Sequence, residues 1–194
     1  MTSGTPMAGV ALLAALALLG SPSHAATIVA APAPVQMTMP HKPFDHMVGC
    51  WDVTGTLNGK PVTNRAEGHW LVDGAFFLLR LESTNAPRRY QADVFYGWDA
   101  GTSQIVVHWL DTLGGGASRT LGVGQVAGGA LDVVFDYPDG KLDNRVTVDT
   151  AKSTFRMLIV TPPNGPTFAD YAFAPRACAP GELIEWTLPA DTSG

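Results

Sequence analysis

The sequence predicts an all-β chain folded as a single closed or nearly closed up-and-down antiparallel barrel of about ten strands. Three observations carry that expectation. From Cys50 onward, short β-branched and aromatic runs alternate with Gly, Pro, Asn and Asp turns, and no stretch shows helical periodicity. Most runs place apolar residues at every second position, as a strand with one buried face requires. The two Cys residues stand at opposite ends of the set, at 50 and 178.

Ahead of the strands, residues 1–25 contain an apolar run from Met7 to Gly20 followed by SPSHA, with small residues at Ser23 and Ala25. This is the grammar of a secretory signal peptide, although MTSGTP has no Lys or Arg. The run is shorter than the roughly 20 residues that a membrane span needs, so export to the periplasm or the medium is expected rather than an anchor. Residues 26–43 form an Ala/Pro-rich leader, 44–178 the barrel domain and 179–194 a C-terminal tail. About 150 residues suffice for one domain with its own core. All the Lys, Arg, Asp and Glu lie after residue 41, so the net charge of -5 belongs to the mature domain. A mildly acidic surface with no basic run argues against nucleic acid or an anionic membrane as partner.

The expected strands are 50–57, 63–72, 75–83, 88–98, 103–111, 117–126, 130–137, 141–149, 153–160 and 166–174. Short links such as Asn58-Gly59, Asp73-Gly74 and Gly128-Gly129 make sequence neighbours antiparallel. In the first strand Trp51, Val53, Gly55 and Leu57 point inward. The second sets Ala66, Gly68, Trp70 and Val72 against Arg65, Glu67 and His69. In the third and fourth, Phe77, Leu79 and Leu81, then Tyr90, Ala92, Val94 and Tyr96, face the interior. Leu131, Val133, Phe135 and Tyr137 do so later, as do Phe155, Met157 and Ile159. The fifth strand, QIVVHWLDT, has no clean face: either Asp111 or His108 must turn inward.

Closure follows from the ends. In a closed up-and-down barrel of ten strands the first and last pair, which brings Cys178 and Arg176 near Cys50 and Trp51. A Cys50–Cys178 disulfide is expected in an oxidising compartment, with two free thiols as the alternative. Arg176 over the Trp51 ring would add a cation–π link, the alternative being a solvated Arg at a strand end. The tail pairs as a further edge strand through residues 182–188 or covers the barrel floor.

The order Phe44-Asp-His-Met-Val-Gly49-x-Trp51, Gly68-x-Trp70-x-x-x-Gly74, Tyr96-Gly97-Trp98-Asp99 and His108-Trp109-Leu110-Asp111-Thr112 resembles an uncharacterised bacterial family called domain of unknown function 1579. The resemblance covers roughly residues 44–176. It implies a lipocalin-like or fatty-acid-binding-protein-like barrel of the calycin type, and it implies fold more than function. The chain also resembles, in outline, the nitrobindin-like haem proteins. Their glycine-rich first strand is missing from GCWDVTGTL and no His follows His108, so haem is a minority reading.

Eight strands close on a filled interior, so ten should leave a cavity. Trp70, Phe77, Tyr90, Tyr96, Leu121, Phe135, Phe155 and Tyr171 would line it, unless they simply pack a core. Trp109, His108, Asp111 and Arg119, the last facing Asp111 across the Gly114–Gly116 link, complete the candidate ligand-binding set. No metal motif occurs, and the glycine pairs lack the Lys-Ser/Thr of a phosphate loop. The expected function is binding of a small apolar or aromatic molecule. The alternatives are a lyase, isomerase or cyclase using His108 and Asp111 as acid and base, and an envelope protein that docks a partner. The sequence fixes no oligomeric state.

Overall fold

The computed structural model describes residues 39–40, 43–85, 90–163 and 165–180. The signal-peptide reading, most of the leader and the tail from 181 lie outside the described residues, as do 86–89, where the fourth strand was expected to begin. A 3-10 turn, Phe44–Met47, leads into β1 (Gly49–Leu57). Then come β2 (Lys60–Leu71), β3 (Phe76–Ser83), β4 (Gln91–Asp99) and β5 (Gln104–Asp111). A second 3-10 turn, Ala117–Arg119, precedes β6 (Gly122–Ala127). The set ends with β7 (Ala130–Tyr137), β8 (Gly140–Asp149), β9 (Thr154–Val160) and β10 (Thr167–Arg176). Every strand pairs antiparallel with its sequence neighbour, and β1 pairs with β10, so the ten close into a barrel. Asn58 and Gly59 both adopt positive φ, the geometry a two-residue hairpin needs to match strand twist.

Several boundaries shift by a few residues, and two of the shifts take an expected inward residue out of the barrel. Val72 is not an inward residue: it occupies the β2–β3 turn at φ 50 and is 66% exposed. The sixth strand starts at Gly122 rather than 117, because Gly114 turns the chain and its carbonyl accepts from the Ala117 and Ser118 amides. Leu121 therefore leaves the interior and is exposed.

The interior is packed at the end where β1 begins. The Trp51 indole N–H donates to the Met47 carbonyl at 3.0 Å and meets the Phe155 ring edge-on at 4.8 Å. Phe155 stacks on Phe173 at 3.9 Å. Phe44 plugs the same end, 5.3 Å from both Phe77 and Tyr96 and 5.9 Å from Trp70. Gly68 permits this plug, since a Cβ there would collide with the Met47 carbonyl and the Phe77 ring. Met39, from the expected leader, is buried in the same core.

The expected disulfide is present: Cys50 and Cys178 are bonded with Cα atoms 5.2 Å apart. Cys50 alternates with Trp51 and so lies on the outer wall, in register with Arg176. Residues opposed across a ladder share a face. Arg176 accordingly sits on the outer wall, where its Nη1 donates to the Ala177 carbonyl at 2.9 Å and its Nε lies 3.6 Å from the Asp52 carboxylate. The Trp51 indole turns the other way, inward, which replaces the expected stacking of the guanidinium on the ring with a link along the wall.

His69 sits on the outer wall beside Leu78 yet is buried, and neither ring nitrogen has a hydrogen-bond partner. Burial lowers its pKa below the ordinary 6.5, with Arg80 acting in the same direction and Glu67 and Asp93 opposing. The unfolded chain then takes up the proton more readily than the native one. Its contribution is full above pH 6.5 and is lost as pH falls below that value. The melting temperature is expected to drop between pH 7 and pH 5, and to drop less in His69→Leu. Parallel melting curves for the two proteins across that range would rule this out.

Candidate functional site

β5 fixes the site because its faces are now decided. Ile105 and Val107 are fully buried, and Trp109 and Asp111 continue their side of the strand. Asp111 is thus the inward choice and His108 the outward one, opposed to Phe95. The His108 Nε2–H donates to the Ser118 carbonyl at 2.9 Å, pinning the 3-10 turn Ala117–Arg119 against the wall. His108 and Asp111 therefore face opposite sides of one strand and cannot act together as acid and base on one substrate. Arg119 does not partner Asp111 either; it is exposed on the turn.

Asp111 instead accepts the Leu113 amide at 2.9 Å, and its second oxygen lies 3.5 Å from the Tyr90 hydroxyl. Trp109 Nε1 donates to that same hydroxyl at 3.1 Å. Phe135 meets Trp109 edge-on at 6.4 Å and stacks with Tyr137 at 6.0 Å. These residues come from the end of β5, the segment before β4 and the end of β7, all at the mouth opposite the Phe44 plug. The phenols are held neutral. Burial raises the Tyr90 pKa, with Asp111 adding to the rise and the Trp109 N–H opposing it. Burial and then Asp111 raise that of Tyr137, and burial raises that of Tyr171.

Deeper on the same half lies Asn144, only 3% exposed, whose side-chain oxygen has no hydrogen-bond partner. Its strand neighbours Val133 and Ile159 are both buried, inward-facing residues. A buried acceptor left unmatched costs about 1–3 kcal/mol. Sequence reasoning passed over both Asn144 and Tyr137 as site residues. The signal was available in KLDNRVTVD, where Leu142, Asn144, Val146 and Val148 alternate with Arg145 and Thr147.

The expected lining set thus divides. Tyr90, Trp109, Asp111, Phe135 and Tyr171 gather in the mouth half. Trp70, Phe77, Tyr96 and Phe155 belong to the packed end, where Trp70 Nε1 also donates to Asp45 at 3.2 Å. The wall itself is incomplete beside the mouth. β5 pairs with β6 only from Ile105 to Val107, and the residues beyond are bridged by the Thr112–Leu121 segment. That segment exposes Leu113 and Leu121, and Leu110 is exposed on the adjoining strand.

A groove of about 830 Å³ runs along the outer wall across β2 to β5 and reaches Asp111 at its edge. Within it Arg80 clamps Asp93 through two bonds of 2.7 and 3.1 Å and reaches Glu67 at 3.2 Å. Among the described residues no imidazole is aimed inward: His69 and His108 face outward, and His46 is exposed on the N-terminal turn.

Fold and site together define a calycin or lipocalin-like barrel whose core runs through the interior, with Tyr90, Trp109 and Tyr137 half-buried against it at one mouth. The sequence matches no family model, and it matches no curated protein. Among the described residues no helix is long and apolar enough to cross a membrane.

Proposed function

We propose that the protein is an exported carrier that binds a small apolar or aromatic molecule in the mouth half of its barrel, without chemistry of its own. The observation that carries this reading is the unmatched Asn144 oxygen, buried on the inward face above a packed floor and beneath half-buried aromatics. Apolar walls with a few convergent polar groups are what a small-molecule site requires. Export is supported by the apolar run and SPSHA, and by a disulfide, which persists in oxidising compartments. Membership of the family that the Gly49-x-Trp51 and His108-Trp109-Leu110-Asp111 motifs resemble belongs to the same proposal. An acid/base enzyme is disfavoured by the outward His108.

The test uses the mature chain from Ala26 and N-phenyl-1-naphthylamine, a neutral aromatic probe with one N–H donor. Saturable one-to-one binding is expected, with quenching of Trp emission. Trp109→Ala and Asn144→Leu should each weaken it about tenfold, the equivalent of ~1.4 kcal/mol. No saturable binding, or variants that bind as the parent does, would defeat the reading. Conversion of a bound molecule that His108→Ala abolishes would overturn the absence of chemistry.

A further inference from the structure

We infer that the natural ligand of this barrel carries an organic ammonium group, seated at the mouth between the Asp111 carboxylate and the rings of Tyr90, Trp109 and Tyr137. The inference rests on the carrier reading and narrows its ligand class.

The argument starts from charge. Asp111 stands on the inward face and is half-buried, yet among the described residues no Lys, Arg or His pairs with it. Two other half-buried acids, Asp93 and Asp170, each hold an Arg through two hydrogen bonds. Asp111 has only one amide and a hydroxyl at 3.5 Å. A carboxylate drawn partly out of water favours a counter-charge. Its surroundings state which kind. An aromatic cluster adjoins it: Trp109 bonds to Tyr90 through the indole N–H and meets Phe135, on which Tyr137 stacks.

Ring faces carry negative potential and attract ammonium groups, most strongly where water is partly excluded. A metal ion would want several oxygen ligands, and no group of three or more His, Cys, Asp or Glu suited to a metal occurs among the described residues. A ligand carboxylate would be repelled by Asp111. An alkyl or aryl ammonium satisfies both features, its charge at the mouth and its apolar body directed toward Phe135 and the interior. Asp139 in the β7–β8 turn also acts on Tyr137 and adds to the negative potential on that rim.

The experiment compares benzyltrimethylammonium with neopentylbenzene, its neutral isostere, as competitors for N-phenyl-1-naphthylamine on the mature protein at low salt. The cation is expected to compete at least about tenfold better, and its advantage should shrink several-fold in 500 mM salt. Asp111→Asn should bring the ratio of the two close to one. An isostere that competes as well as the cation, or a ratio insensitive to both salt and Asp111→Asn, overturns the ammonium while leaving the carrier intact. The same holds if neither competitor displaces a probe that does bind. If the probe itself fails to bind, the carrier reading falls and the ammonium with it. The salt series on the parent protein decides the question even where the variant does not fold.

Discussion

Trp51→Ala is expected to lower the unfolding free energy by about 3–5 kcal/mol, the range for removing a large buried aromatic side chain. The ring is 4% exposed and lies edge-on to Phe155 at 4.8 Å. Two costs combine: the space left by the indole, and the Met47 carbonyl that loses its donor. Relaxation is hindered because Met47 is itself wedged over Gly68, where even a Cβ would collide. Trp51→Phe separates the two terms, since it keeps most of the ring packing and removes only the donor; a loss of about 1–3 kcal/mol is expected there. Urea titrations of the three proteins measure both. A change under about 1 kcal/mol in Trp51→Ala would mean that the Phe44 and Phe155 rings close the floor without the indole.

Much of the fold was legible because most strands have one wet face. Trp51, Val53 and Leu57, or Leu131, Val133 and Phe135, can sit only one way round, and a slip by one residue would bury Asp52 or Asp132. Cys50 and Cys178 then identified the seam. Legibility failed where alternation gave way to backbone effects. Val72 reads as the next inward residue of β2, but the turn to Gly74 takes it into positive φ. Ala117 to Leu121 reads as strand by composition, yet Gly114 starts a turn whose hydrogen bonds hold Ala117 and Ser118 off the sheet. Met39 gives no local sign of burial, since its partners are distant in sequence.

The site was legible as a strand and not as a constellation. β5 stood out because both of its faces are apolar and each carries one titratable residue. Sequence left open which of them turns inward. That is decided by register with β4, which opposes Trp109 to Val94 and His108 to Phe95. The division of the aromatics between floor and mouth depends on height along the barrel axis, set by strand stagger rather than by any local pattern. Trp70 and Tyr90 look alike in the sequence; one packs on Phe44 and the other bonds to Trp109.

The second large effect is expected at the seam. Replacing both Cys50 and Cys178 with Ala should lower stability by up to about 4–5 kcal/mol, the chain-entropy value for so long a loop. The bond spans 128 residues and encloses all ten strands. For a domain of this size each 1 kcal/mol shifts the melting temperature by roughly 2–4 °C, so a fall of up to about 8–20 °C is the expected reading. Reduction of the parent protein should reproduce it, and the reductant should do nothing further to the double variant. The β1–β10 ladder, running from Cys50 opposite Arg176 to Leu57 opposite Ala169, opposes the loss, because it closes the barrel without any covalent help. If the ladder alone sufficed, parent, reduced parent and double variant would melt together. A large fall would instead mean that bringing residues so far apart in sequence into register is the costly step of closure. The disulfide removes much of that cost from the unfolded chain before the ladder forms.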